Sequence, residues 1–224
     1  LGFFISFAAL DIFSTQKIAF TLWEYNMSYP ELIGMVFGIG ATILAAMRIS
    51  YTWLVNLVAV VFFAAVAYQL KLYADLILQA YYFTIGILGW LWWNKKATNA
   101  YVPVTYWNPK LSIYLLSVLG IIAASLLMGY MVSNFNIWMP QWFPDAAKMP
   151  YPNAFVLVIS VIGTYLMSKR RIETWWLWAI NNPLAAFIYW QQDSILFTVV
   201  YLVFWIIGLS GWYAWQKEYK KSHG

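Results

Sequence analysis

The segment Gly86–Trp93, GILGWLWW, returns as GLSGWYAW at Gly208–Trp215. The same offset of 122 residues aligns Thr42 with Thr164, Leu44 with Leu166, Arg48 with Arg170, Thr52 with Thr174 and Trp53 with Trp175. It also aligns Ala64 with Ala186, Gln69 with Gln191 and Ile85 with Ile207. Three tryptophans superposed without a gap are hard to obtain by chance. The chain therefore reads as two copies of a three-helix unit, with a stretch between them that belongs to neither.

The medium follows from composition. The chain is 63% hydrophobic and 9% charged, against about 25% charged in soluble domains. Apolar runs of about 20 residues recur, long enough to cross roughly 30 Å of hydrocarbon. With no cysteine, disulfides and thiolate metal sites are excluded, and the one histidine, His223, lies in the tail. Neither a metal nor a cofactor is expected. The net charge of +5 sits in short clusters between apolar runs, where it orients a membrane protein rather than binding nucleic acid.

Within residues 1–28, Leu1–Leu22 is apolar but interrupted by Asp11, Gln16 and Lys17, and Glu24 and Asn26 follow. An interfacial or peripheral helix buries less charge than a span; a full extra span is the rival. Leu1–Leu10 lacks a basic start and a small-residue cleavage site, so it does not read as a signal peptide. Pro30 and Glu31 suit the first turn of a helix. The first span then runs from about Glu31 to Met47 with a small-residue stripe of Gly34, Gly38 and Ala41. The second covers about Thr52–Leu70 and the third about Tyr73–Trp93, closing a first three-helix bundle over 29–96. A connecting segment, 97–152, holds a central fourth span at about Leu111–Val132 and a loop at Ser133–Pro152, whose aromatics suit lipid headgroups or a lid. The second bundle, 153–216, holds spans at about Asn153–Met167, Thr174–Trp190 and Ser194–Trp215, with a tail at 217–224. The expected fold is an all-α integral membrane protein of seven transmembrane helices, arranged 3+1+3. The odd central helix lets the second triplet enter in the same orientation as the first, giving parallel repeats.

Charge supports seven spans. Loops after spans one, three and five, with the C-terminus, carry ten of the thirteen basic residues, while the other side carries six of the eight acids. The C-terminus is expected to be cytoplasmic.

Polar side chains within hydrocarbon mark paths or sites. On the sixth span Trp175, Trp178 and Asn181 are three apart and Asn182 follows. Pro183 removes the N–H that would bond the carbonyl of Ala179, so a kink or a freed carbonyl is expected. At the repeat offset Asn181 meets Ala59 and Asn182 meets Val60. Bonds between helices are the structural reading of these amides; a binding role explains the asymmetry. The third span supplies Gln79 and Tyr82, the seventh Tyr201 with Trp205, and the second Trp53 with Asn56. No carboxylate sits securely in mid-membrane, which argues against a proton relay or ion coupling. With no nucleophile–base pair, an enzyme is not expected. Amides, phenols and indoles suit a neutral polar solute or a delocalised cation held by cation–π attraction.

The stretch Arg170–Asn181, RRIETWWLWAIN, with GWYAW at Gly211–Trp215, resembles the PnuC family of bacterial vitamin B3 transporters. The W-x-x-W-x-x-N pattern falls on Trp175, Trp178 and Asn181. That resemblance implies a fold like the SWEET sugar transporters, a homotrimer in the bacterial inner membrane, and uniport of nicotinamide riboside trapped by a cytoplasmic kinase. It implies Trp175, Trp178 and Asn181 as substrate residues, with Gln79, Tyr82 and Tyr201 from the third and seventh helices. Two similar triplets would then rock to open a site alternately to each side. Thiamine, riboflavin or a small sugar are the alternative cargoes, and a ligand-sensing receptor or scaffold is the alternative outside transport.

Overall fold

The computed structural model describes residues 12–22, 25–69, 73–94, 103–107, 110–141, 143, 145–147, 149–191 and 195–223. Seven helices run through them: α1 (Tyr29–Ala46), α2 (Thr52–Gln69), α3 (Tyr73–Asn94), α4 (Leu111–Trp138), α5 (Pro150–Ser168), α6 (Glu173–Trp190) and α7 (Ile195–His223). Five of them, α1, α2, α4, α5 and α7, are long and apolar enough to cross a membrane. The other two, α3 and α6, carry Gln79 and the Asn181–Asn182 pair, respectively. The chain divides into two compact units, Leu1–Lys95 and Lys96–Gly224.

In the first unit the helix expected over 1–28 is corrected for its described part. Strands β1 (Ile18–Leu22) and β2 (Tyr25–Ser28) pair antiparallel, and residues 1–11 lie outside the described residues. β-branched and aromatic residues at Ile18, Phe20, Thr21 and Tyr25 favour the extended chain. A capping box then starts α1: the Glu31 carboxylate accepts from the Ser28 N–H at 2.8 Å and its hydroxyl at 2.6 Å. Tyr25 donates to the other carboxylate oxygen at 2.6 Å. Gly34, Gly38 and Ala41 are buried along one stripe of α1, as the small-residue spacing predicts. Helix α2 packs against both α1 and α3.

The second unit is a chain of neighbours, α4 on α5, α5 on α6 and α6 on α7. Most of α4 is exposed, with Ser125 and Gly129 its buried residues. The loop expected from Ser133 begins later. No Gly or Pro occurs between Ser133 and Trp138, so α4 continues to Trp138, while Pro150 and Pro152 fall at the start of α5, where a missing N–H costs little. Helix α7 likewise runs on through most of the expected tail.

Several hydrogen bonds of one unit recur in the other at 122 residues' offset. After α1 the N–H of Arg48 bonds Ala45 O and that of Ile49 bonds Leu44 O; after α5 Arg170 bonds Met167 O and Arg171 bonds Leu166 O. This is a Schellman end, with Arg48 (φ 63°) and Arg170 (φ 55°) in the left-handed position that glycine usually fills. The Thr52 hydroxyl donates to Ala41 O at 2.7 Å, and the Thr174 hydroxyl to Gly163 O at 2.7 Å. Trp53 meets Trp93 edge-on at 5.5 Å, and Trp175 meets Trp215 edge-on at 5.4 Å. Matching side chains thus make matching contacts.

One tertiary feature of the second unit had no sequence signal. Thr105 bridges the α5–α6 turn, its N–H bonding Arg170 O and its carbonyl accepting from Ile172 N–H, both at 3.1 Å. Arg171 donates to Tyr106 O at 2.6 Å, and buried Glu173 accepts from Trp107 N–H at 2.7 Å.

Candidate functional site

Helix α6 lies between α5 and α7 within its unit. Side chains three residues apart on a helix step back by about 60°, so the stripe Trp175, Trp178, Asn181 winds from one neighbour to the other. Trp175 faces α7, where it packs over Gly211 and against Trp215. Trp178 lies between the two, its ring 3.4 Å from the position of a Cβ on Gly163 of α5 and its own Cβ near Gly208 of α7. Asn181 faces α5 and donates to the Ser160 hydroxyl at 3.0 Å. Asn182, also buried, turns its amide toward Gly208. The single face expected from the spacing is therefore a short helical ramp.

Several polar atoms on this ramp are buried without a hydrogen-bond partner: Trp175 Nε1, Trp178 Nε1 and Asn181 Oδ1. An unmet polar atom in a low-dielectric interior is costly. Trp53 Nε1 in the first unit shares that state, so the orphaned N–H at Trp175 belongs to the repeat rather than to the second unit alone. Trp178 and Asn181 have no such counterpart, because the repeat offset puts Asn56 opposite Trp178 and Ala59 opposite Asn181.

Pro183 lies inside α6. The carbonyl of Ala179, which it leaves without an intrahelical donor, accepts from the indole N–H of Trp205 on α7 at 3.1 Å, so the freed carbonyl expected from the sequence is present. Tyr201 is stacked on Tyr189 at 5.2 Å and meets Phe204 edge-on at 6.0 Å.

In the first unit, Gln79 carries a buried Oε1 with no partner. Tyr82 is half-buried beside Tyr81, ring centroids 5.9 Å apart. Trp53 is buried over Gly89, and Asn56 is half-buried. Sequence reasoning missed Ser160, whose counterpart is Gly38, and the Ala179–Trp205 bond. Only the break in the repeat at Ser160 could have signalled the first. No group of three or more His, Cys, Asp or Glu that could hold a metal occurs among the described residues.

Helices of this length and apolarity define a multi-pass membrane protein. Its family is more specific: residues 28–217 match the family model described as nicotinamide mononucleotide transporter, and the chain belongs to that family. It is similar to the nicotinamide riboside transporter PnuC of Escherichia coli (strain K12), 24% identical over 92% of this chain and 94% of that one. A second relative, the riboflavin/roseoflavin transporter RibM of Streptomyces davaonensis, is 22% identical over 88% of this chain and 89% of its own. The crystal structure of the vitamin B3 transporter PnuC shares the fold, with a TM-score of 0.62 at 22% identity over 84% of this chain and 81% of that chain.

Proposed function

We propose that this protein carries nicotinamide riboside across the bacterial inner membrane by alternating access, as a uniporter whose cargo is trapped inside by phosphorylation. The carrying observation is the pair of buried, unpartnered polar atoms one helical step apart, Trp178 Nε1 and Asn181 Oδ1. A donor and an acceptor so placed suit the carboxamide and ribose hydroxyls of a nucleoside. Indole faces suit its cationic ring. In this reading Trp175, Trp178, Asn181, Asn182 and Tyr201 serve substrate, with Gln79, Tyr82, Trp53 and Asn56 as further candidates.

Charge supports a nucleoside over a nucleotide. Among the described residues the buried charged side chains are Glu31 and Glu173, with no buried Lys or Arg. A phosphate dianion would find no buried cation to replace its water. The 3+1+3 arrangement of parallel repeats, a cytoplasmic C-terminus and a homotrimer complete the proposal.

Riboflavin is the second reading, because RibM matches nearly as much of the chain at nearly the same identity. Titrating purified protein with nicotinamide riboside, nicotinamide mononucleotide, nicotinamide, thiamine and riboflavin separates them. The riboside should bind tightest, and preference for another ligand overturns the substrate assignment. In kinase-free proteoliposomes uptake should stop at equilibrium; accumulation under an imposed H⁺ or Na⁺ gradient would sink the uniport mechanism.

A further inference from the structure

Pro183 lies inside α6 and leaves an interior backbone carbonyl without its helical donor. Pro183 has no N–H, so Ala179 O loses its bond from four residues on, and in hydrocarbon no water can replace it. Trp205 supplies the donor from α7 at 3.1 Å.

The repeat shows that proline and donor belong together. In the first unit the position of Pro183 is Val61, which has an N–H, and that of Trp205 is Phe83, whose side chain has none to give. Ser160, Asn181 and Asn182 are likewise replaced there by Gly38, Ala59 and Val60. The second copy therefore differs from the first as a set: a carbonyl released, a distant donor supplied, and amides placed two and three residues beyond that carbonyl.

We infer that Trp205 is a positioning residue for the polar ramp of α6. Its hydrogen bond sets the rotation and height of α6 against α7 at the level of Asn181 and Asn182. A shift of α6 by one residue would turn Asn181 by about 100°, away from Ser160. Trp205 acts through Ala179 rather than by touching cargo. The inference rests on the reading of Trp178 and Asn181 as substrate groups.

A double-mutant cycle between positions 183 and 205 tests it in the purified full-length protein, read by titration with nicotinamide riboside, or with riboflavin should the wild type prefer it. Trp205→Phe keeps an aromatic ring and removes the N–H, and should weaken binding about tenfold. Pro183→Ala returns an N–H to Ala179 O, so Trp205→Phe in that background should cost less than about twofold. Equal losses in both backgrounds, or none in either, would overturn the inference. So would coupling seen in thermal unfolding but absent from affinity, since that describes packing alone. If Trp205→Phe does not yield folded protein, recovery of folding and binding in the double variant supports the bond, and failure to recover overturns it. A wrong cargo shows in the wild-type titration, whereas a wrong role for Trp205 shows in the cycle.

Discussion

The ring of Trp175 occupies the space that a side chain on Gly211 would need: a Cβ there would stand 2.5 Å from the indole. Trp53 and Gly89 repeat the relationship at 2.5 Å in the other unit. The indoles are wedged edge-on against Trp215 and Trp93, so neither can withdraw freely. Gly211→Ala and Gly89→Ala should each cost about 1–3 kcal/mol. Gly208→Ala should be milder, because the nearest atom to its Cβ is 3.9 Å away. Thermal unfolding in one detergent compares the three, and a Gly211→Ala variant as stable as Gly208→Ala would contradict the packing.

Substrate affinity should depend on Asn181. Its Oδ1 has no partner and its Nδ2 bonds Ser160, so Asn181→Ala should weaken nicotinamide riboside binding by about tenfold or more with little change in unfolding temperature. Ser160→Ala should produce a smaller loss, since it loosens the amide without removing it. Unchanged affinity in Asn181→Ala would refute the assignment.

The two threonine bonds offer a stability test of the repeat. Thr174→Val and Thr52→Val each delete a buried hydroxyl that donates at 2.7 Å to a carbonyl on the preceding helix. Each should cost about 1 kcal/mol, and the two costs should agree. A large loss at one position with none at the other would show that the matching geometry hides different energetics.

Glu173 holds the segment before α4, through Trp107 N–H at 2.7 Å, and the first turn of α4, through the Tyr114 hydroxyl at 3.4 Å, to the start of α6. Replacing it by alanine leaves the Trp107 N–H unmet and frees the segment. Trypsin should then cut after exposed Lys110 several-fold faster than in wild type, read by mass spectrometry of the fragments. Equal cleavage rates would assign the hold to Thr105 and Tyr106 instead.

Alkali should act through Tyr25. Burial, then the hydrogen bond to Glu31 and that carboxylate's charge, push its phenol well above its ordinary value. A group whose folded-state value is raised contributes fully below the unfolded value, about 10, and that contribution fades as pH rises toward the folded value. Wild-type stability should therefore fall between about pH 10 and 12 more steeply than that of Tyr25→Phe. Parallel pH profiles for the two proteins would exclude the effect.

Helix positions were largely readable from the chain. Apolar run lengths placed the ends of α1, α2, α3 and α6 within a few residues, because charged or turn-forming residues punctuate them at Arg48, at Lys71 and around Asp193. Errors fell where punctuation was absent or double-edged. Nothing stops α4 between Val132 and Trp138, and prolines at 150 and 152 both break a loop and begin a helix. The hairpin at Ile18–Ser28 was missed because a short apolar run does not separate strand from helix by periodicity. The bridge from Thr105 to the α5–α6 turn rests on backbone atoms, which every residue carries, so no side-chain pattern announces it.

By itself the sequence determined the membrane setting and the helix series, since these follow from run length and charge placement. Pro183 even named the carbonyl that would be freed. Tertiary structure alone decided which neighbour each polar group met: Ala179 O with Trp205, Asn181 with Ser160, Trp175 with Gly211. The reason is physical. In a bilayer, the faces toward lipid and toward protein are both apolar, so hydrophobic patterning leaves the rotation of each helix open, and only packed side chains close it.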